Sequence, residues 1–364
     1  MPLAGLVSMA RSPEGLRAFE GELALAARRT WPDLPGADIA AAVEAGMLAA
    51  AGERADASVR DPGELGTGGS SDLDDVARYT ACAIGHAAAE LQRQGLPPEA
   101  TSPVDWAGFG TVIPVLAGSP GAGASMLAAL LTDVLQIERR RVLLADLADP
   151  VRSGLAAAAR SDGPLLTRPH PQVHIRFSWR AQALLARLQT ALPVVAPGMV
   201  PPPRFWLAHG QQPDVTVVDL GHDSWRISAH PLTGAGVWLR CGTPPPRPVL
   251  VVRPTRPSLL HAEQVLTRLD PWVVVGAIAL PVQLVVMGAR RWPAGVAGAA
   301  GRRVAALLQD AVFVPHDPDF AAAGVTAAVT PLRLRKAVTP LLHRWGLRPD
   351  AAAQATTSRT RGRS

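Results

Sequence analysis

A glycine-rich segment between a predicted strand and a predicted helix carries residue types that bind phosphate. Gly118, Gly123 and Ser125 follow the order glycine, four residues, glycine, one residue, serine, and Ala124 stands just before the serine. Glycines at such a turn let backbone amides face an anion, and the first turn of the next helix adds a partial positive charge. The Ser125 hydroxyl offers an oxygen ligand for Mg²⁺. The alternative is a strand-to-helix turn that binds nothing.

Two apolar runs further along the chain end in acidic residues. The first run ends at Asp146 and is followed by Asp149, and the second ends at Asp219. The carboxyl ends of parallel strands share one edge of a sheet, where ligands bind in open α/β folds. A Mg²⁺ ligand and a carboxylate that positions water belong at that edge. The sequence therefore predicts that these three carboxylates lie near the 118–125 loop.

The pattern after residue 106 predicts short apolar strands that alternate with helices. The predicted strands are 112–116, 141–146, 215–219, 249–252, 273–280, 282–287 and 312–315. The predicted helices are 125–135, 179–188, 258–269, 302–309 and 331–345. Strands that are apolar throughout, with helices between them, are typical of a parallel sheet covered on both faces. The predicted fold class is therefore α/β, a mostly parallel twisted sheet with helices on both faces.

Charge divides the chain into an acidic part and a basic part. Residues 1–105 hold 8 arginines against 16 acidic residues, whereas residues 106–364 hold 28 basic and 14 acidic ones. We predict a small helical region over 1–105, with a glycine-rich linker at 53–71 and with Asp38 capping one helix. The sheet domain follows over 106–347, and residues 348–364 are predicted to form a disordered basic tail.

Composition favours a cytoplasmic location and does not decide whether the protein contacts membranes or DNA. Two cysteines exclude a disulfide-rich scaffold, so we expect a cytoplasmic protein. Residues 272–289 carry no charge and are long enough to span a membrane, but Pro281 and Gln283 favour two buried strands. The amphipathic helix at 331–345 either docks on the sheet or lies on an anionic membrane. The excess of arginine serves either sequence-independent contact with DNA phosphates or solubility.

The order of these segments resembles the ParA/MinD family of P-loop ATPases. The matching segments, in chain order, are GSPGAGAS, VLLADLADP, DVTVVDLG, VLVVRPTRPSLLHAEQVL and VFVPHDPDFAAAG, and they extend over residues 108–347. The lysine-free loop is most similar to the CpaE and septum-site-determining-like branch of actinobacteria. The resemblance implies a parallel sheet, an ATP-bound homodimer and a role in positioning chromosomes, plasmids, division septa or pili.

The resemblance also implies which residues would hold ATP or ADP with Mg²⁺. The phosphates would lie against Gly118, Gly121, Ala122, Gly123, Ala124 and Ser125. Ser125 and Asp219 would hold the metal ion. Asp146 and Asp149 match the family's two catalytic aspartates, although Ala148 is inserted between them. Asp317 lies in a stretch similar to the loop near the adenine.

Two lysines that the family carries in this loop are missing. Ser119 and Ala124 occupy their positions, so the loop lacks the cations that neutralise γ-phosphate charge during phosphoryl transfer. The resemblance therefore implies weak nucleotide binding with little or no hydrolysis. It also implies a scaffold or positioning role, in which an unidentified protein partner recognises the state of this protein. Two alternatives stay open: an active ATPase with a relocated arginine such as Arg152, or a nucleotide-independent module that binds DNA or a membrane.

Overall fold

The computed structural model describes residues 34–52 and 101–347, together with the separate positions 28, 74, 77, 78, 80 and 81. Helix α1 (Gly36–Gly52) belongs to the predicted N-terminal helical region. It begins before Asp38, so this residue lies in the first turn rather than at the predicted cap, where its charge still favours the helix dipole. The predicted linker at 53–71 and the predicted tail at 348–364 lie outside the described residues.

A large sheet forms the centre of the described part of the chain. The strands, in chain order, are β1 (Val104–Asp105), β2 (Thr111–Ala117), β3 (Val142–Asp146), β4 (Leu165–His170), β5 (Val173–Arg180), β6 (Ala183–Thr190), β7 (Val215–Asp219), β8 (Gly242–Thr243), β9 (Val249–Val252), β10 (Gln283–Met287) and β11 (Val312–Val314). Nine of them share one sheet in the order β11-β10-β9-β2-β7-β3-β6-β5-β4, while β1 and β8 form a separate parallel pair.

The sheet is parallel from β11 to β6 and antiparallel beyond. Strands β5 and β4 extend it by pairing antiparallel with β6 and β5 respectively. The strands β3, β7, β9 and β10 are buried along their whole length, as their continuous apolar runs predict. The predicted α/β fold class is therefore confirmed.

Helices cover both faces of the sheet. They are α2 (Ala124–Ile137), α3 (Ser224–Ile227), α4 (Arg256–Val274), α5 (Arg302–Leu308), α6 (Pro318–Ala323) and α7 (Leu332–Arg344). Helices α4 and α5 contribute to one core cluster, and α2 and α7 contribute to the other. The apolar side of α7, with Leu334, Val338 and Leu341, is buried in the second cluster, so this helix docks on the sheet. No helix among the described residues is both long and apolar enough to cross a membrane.

Two predicted elements are wrong. Residues 179–188, predicted as a helix, form the end of β5, a turn and most of β6. The alanine-rich and leucine-rich run favours a helix by propensity, but alternate residues enter opposite cores: Leu184 and Ala186 enter the first cluster, and Ala183 and Leu185 the second. Residues 273–280, predicted as a strand, begin instead with the last turn of α4, which continues past Pro271 to Val274.

Candidate functional site

The 118–125 loop connects β2 to α2 at the carboxyl edge of the parallel strands. Its first residue, Gly118, donates its amide to the Val251 carbonyl at 2.7 Å. A Cβ at Gly118 would lie 2.9 Å from Cγ1 of Val252 and 3.0 Å from Cβ of Ala262. Only glycine fits there without displacing a neighbour, so the close packing of the loop against β9 and α4 fixes where the loop begins.

The middle of the loop presents backbone amides. Gly121 and Gly123 have φ angles of 68° and 101°, which glycine adopts readily and other residues rarely do. The amides of Gly121, Gly123, Ala124 and Ser125 donate to no acceptor among the described residues. Ala122 differs, because its amide closes the turn onto the Ser119 carbonyl at 3.1 Å. Four free amides at the start of a helix form an arrangement that binds anions.

The two positions where the resemblance places lysines carry no charge, and their side chains turn inward. The Ser119 hydroxyl lies 2.7 Å from the Ser258 hydroxyl and is buried. The Ala124 methyl group packs against the core cluster that contains α2. Any attraction of the loop for an anion would therefore come from backbone amides and the helix dipole only.

Sheet register places Asp219 beside the loop strand and beside Asp146. Asp219 lies opposite Val115 of β2 on one side and opposite Asp146 of β3 on the other. Its carboxylate is fully buried; Oδ1 accepts the Gly221 amide at 3.2 Å, and Oδ2 has no hydrogen-bond partner among the described residues. A buried carboxylate oxygen without a donor is costly unless a ligand completes its coordination.

Burial raises the pKa of both carboxyl groups. It raises the pKa of Asp146 to about 7, and the charge of Asp219 adds to this rise. It raises the pKa of Asp219 to about 6, and the Ser125 hydroxyl and the Gly221 amide offset part of the rise. Ser125 therefore lies close to Asp219, yet it does not form the hydrogen bond that Oδ2 lacks.

Asp146 is engaged within its own segment. Its Oδ1 accepts the Ala148 amide at 3.1 Å, and its Oδ2 accepts a short hydrogen bond from the Ser153 hydroxyl. The same segment lies on Ser125: a Cβ at Gly154 would lie 2.7 Å from both Cβ and Oγ of that serine. Residues 150–158 thus pack over Ser125, the last residue of the 118–125 loop.

These groups fit a magnesium ion bound with phosphate. A serine hydroxyl and a carboxylate are oxygen ligands of the kind that Mg²⁺ prefers. In residues 34–52 and 101–347, no group of three or more His, Cys, Asp or Glu side chains could hold a metal ion alone. A Mg²⁺ ion at Ser125 and Asp219 would therefore complete its shell with phosphate oxygens and water.

Three other sequence-predicted residues have different surroundings. Both oxygens of Asp149 accept backbone amides, from Val151 at 3.2 Å and Val195 at 3.0 Å. Asp317 caps α6, accepts the Phe320 amide at 3.0 Å and pairs with Arg333 at 2.7 Å, which lowers its pKa. Arg152 is exposed in the turn after Asp149. Asp149 and Asp317 therefore both stabilise local structure. Contact of either residue with a nucleotide stays a prediction.

Sequence reasoning did not find Ser153, Gly154 and Ser258, which no local motif marks. A groove of about 150 Å³ also lies away from the loop. It is lined by Arg141, Trp179 and Pro213 at the amino ends of β3 and β7. Since the loop and Asp219 lie at the opposite ends of these strands, the groove is separate from the site.

Comparisons with known proteins give likenesses at low identity. No protein family model matches the chain, and no curated protein matches it. The nucleotide-binding protein of Archaeoglobus fulgidus, solved in complex with ADP, is similar at 13% identity with a TM-score of 0.40, over 63% of this chain and 92% of that one. A chain of the MinC:MinD cell division protein complex of Aquifex aeolicus is similar at 16% identity with a TM-score of 0.42, over 66% and 97%.

Proposed function

We propose that this protein binds ATP or ADP with Mg²⁺ at the 118–125 loop, as the ParA/MinD family does, and hydrolyses it very slowly or not at all. The bound state would serve positioning or scaffolding of a cellular assembly through a protein partner. The observation that carries the proposal is the unpaired, fully buried Oδ2 of Asp219 beside the loop's free amides. An anion and a cation bound together would satisfy both groups.

The phosphates would lie against the amides of Gly121, Gly123, Ala124 and Ser125, which donate to nothing else among the described residues. The metal ion, when bound, supplies charge neutralisation between the phosphates and Asp219. Ser125 would hold it through the hydroxyl, and Asp219 directly or through water. Gly118 and Ala122, which the resemblance also places at the nucleotide, use their amides within the protein, and their contact with the ligand stays a prediction.

Slow hydrolysis follows from what the site lacks. Positions 119 and 124 provide no cation for the γ-phosphate, and a missing cation of this kind costs orders of magnitude in rate. Both oxygens of Asp146 and both oxygens of Asp149 already accept a hydrogen bond within the protein, which leaves fewer lone pairs for positioning a water molecule. The rival is an active ATPase in which Arg152, exposed after β3, supplies the cation.

The test is equilibrium binding of a fluorescent ATP analogue with Mg²⁺, together with phosphate release from the same samples. We expect binding by the natural chain, a loss of at least about tenfold in Asp219→Ala and Ser125→Ala, and phosphate release at background level. Asp310→Ala, in an exposed ion pair with Arg344, is the control and should bind normally. No binding at millimolar nucleotide would refute the proposal, and turnover that Arg152→Ala abolishes would favour the active ATPase.

Contact with DNA phosphates is a second candidate, supported by three consecutive exposed arginines. Arg139, Arg140 and Arg141 follow α2 at the amino edge of the sheet, and only Arg141 pairs with an acidic side chain that the structure describes, Asp214. Retention on DNA should fall steeply with salt and weaken in the variant with Arg139→Gln and Arg140→Gln. Unchanged retention in that variant would remove this surface from consideration.

A further inference from the structure

Arg253 leaves the sheet directly beside the 118–125 loop. Strands β9 and β2 are parallel neighbours, with Val251 opposite Ala117. Arg253 and Ser119 each lie two residues beyond this pair, in the segments that follow β9 and β2. That serine occupies one of the two loop positions where the resemblance places a lysine. An arginine directly after the neighbouring strand therefore lies beside a loop position that has no cation.

One hydroxyl fastens Arg253 to the loop. The Ser258 Oγ accepts the Arg253 amide at 2.9 Å and lies 2.7 Å from the Ser119 Oγ. Ser258 itself is buried in the first turn of α4, where Thr255 caps the helix. The backbone at Arg253 therefore keeps a fixed position relative to the loop, which favours a binding role for its side chain.

The guanidinium lies over the end of β10, next to a residue that contacts the loop. Its Nη1 would be 3.4 Å from a Cβ at Gly288. The preceding residue, Met287, packs against the loop: a Cβ at Gly123 would lie 3.2 Å from its Cγ. The Arg253 side chain is exposed and forms no ion pair or hydrogen bond with any side chain that the structure describes. It is therefore available to a ligand.

We propose that Arg253 binds the phosphates of the nucleotide and supplies, from the neighbouring strand, the positive charge that the loop itself lacks. This inference rests on the proposed function. Arginine suits the task, because its planar guanidinium binds phosphate oxygens in pairs and stays charged at every physiological pH. Arg253 acts in binding here, since a charge that stabilises bound phosphates equally before and during reaction strengthens affinity without accelerating hydrolysis.

The experiment measures affinity in the full chain, with fluorescent ATP as the probe and inorganic tripolyphosphate as a competitor without a base. Arg253→Gln should weaken both by about 10- to 100-fold, as expected for the loss of a charge-assisted hydrogen bond. Arg253→Lys should recover part of the loss. The matched control is Arg256→Gln, three residues further on, whose Nε donates to the Gly295 carbonyl at 3.3 Å. The unfolding midpoint without ligand should be the same in all variants.

Each outcome bears on a separate claim. Equal affinity of Arg253→Gln and the natural chain would overturn the role of Arg253 and leave the proposed function standing. An equal loss of affinity in Arg256→Gln would also overturn the role of Arg253. The same holds if Arg253→Lys recovers no affinity while its unfolding midpoint is unchanged. A natural chain that binds neither ATP nor tripolyphosphate would remove the proposed function, and this inference with it.

Discussion

Two carboxyl groups at the ends of β3 and β7 are held in a buried environment that disfavours their charge. Burial raises the pKa of Asp146 to about 7 and that of Asp219 to about 6, from an ordinary value of 3.8. The folded protein therefore keeps protons that the unfolded chain releases between about pH 4 and pH 7. Its unfolding free energy should fall as pH rises through this window and stay level above it.

Asp219→Asn removes one of these charges while keeping the shape of the side chain. We expect the unfolding free energy to rise by roughly 1–2 kcal/mol at pH 8, where the natural carboxylate is charged, and to change little at pH 4.5. Urea unfolding at the two pH values measures this, with exposed Asp310→Asn as the control. A variant that is destabilised equally at both pH values would show that the carboxylate is not under electrostatic strain.

At the scale of single residues, the sequence predicts the loop but not its supports. Gly118, Gly123 and Ser125 are close in sequence, so their spacing indicates a phosphate loop directly. Ser119 and Ser258 meet across 139 residues, and no local pattern marks that contact. The unpaired Oδ2 of Asp219 is likewise set by register between strands. Contacts of this kind depend on tertiary packing, which periodicity does not encode.

Among the elements, the segment after β3 lies directly against Ser125. Gly154 leaves no room for a side chain, because a Cβ would lie 2.7 Å from the serine hydroxyl. Arg187 holds the same segment from β6 by donating to the Ala156 carbonyl at 2.7 Å. A ligand at Ser125 must therefore be compatible with this covering segment or displace it.

Gly154→Ala tests that contact. The added methyl group should displace Ser125 or the covering segment and change Mg²⁺-dependent nucleotide affinity by about tenfold, a shift on the scale of one lost hydrogen bond. The unfolding midpoint should move little, because Gly154 is exposed and Ser125 is only partly buried. Gly198→Ala is the matched control, since a Cβ there has nothing within 4 Å. Indistinguishable affinities for the two variants would show that the segment does not influence the site.

A buried ion pair joins α2 to the antiparallel extension of the sheet. Arg180 at the end of β5 and Asp133 of α2 are both fully buried and meet at 2.8 Å and 3.0 Å. The remaining guanidinium donors reach the carbonyls of Ala158, Thr326 and Ala328. Asp133 also accepts the Thr330 amide at 2.7 Å. The network links α2, which begins in the 118–125 loop, to β5 and to the segments around Ala158 and 326–330.

Arg180→Met should therefore destabilise the fold by about 3–5 kcal/mol, because Asp133 is left as an uncompensated buried charge. Adding Asp133→Leu should recover part of this loss. Arg333→Gln, which breaks a partly exposed pair with Asp317, should cost less than about 1 kcal/mol. Chemical unfolding of the variants measures these differences. Similar losses for Arg180→Met and Arg333→Gln would contradict the network's structural role.

Element prediction succeeded where one local pattern decided the outcome. The predicted strands at 215–219 and 249–252 match β7 and β9, because a short continuous apolar run fits a buried parallel strand. The helix predicted at 179–188 is wrong because the side chains alternate between two cores. That alternation becomes apparent only once both faces of β6 are known to be buried. The strand predicted from the valines at 273–275 is wrong because the packing of α4 on the sheet overrides their preference for strands.

At the scale of the whole molecule, the carboxyl edge that carries the site is rimmed by exposed apolar side chains. Val151 is 85% exposed, Val194 62% and Trp225 47%, each in a segment that follows β3, β6 or β7. The Arg268 guanidinium lies 4.2 Å from the centre of the Trp225 ring. These three side chains are exposed apolar groups that a protein bound at this edge would cover.

We expect a second copy of the chain to cover this edge when nucleotide is present, as the resemblance to the ParA/MinD family implies. Light scattering at equal protein concentration should show a larger dimer fraction with Mg²⁺ and ATP than without them. Val151→Asp should abolish the increase, because a charge in an apolar interface is costly to bury. Leu332→Asp places the same charge at an exposed leucine of α7 and should leave the increase unchanged. A monomer under all conditions would remove the second copy as the partner.

The most direct test of the site is a crystal structure of the full chain with Mg²⁺ and a non-hydrolysable ATP analogue. We predict phosphate oxygens within hydrogen-bond distance of the amides of Gly121, Gly123, Ala124 and Ser125, and a metal ion about 2.1 Å from the Ser125 hydroxyl, linked to Asp219 directly or through one water. An analogue bound elsewhere, with the 118–125 loop and Asp219 untouched, would contradict it.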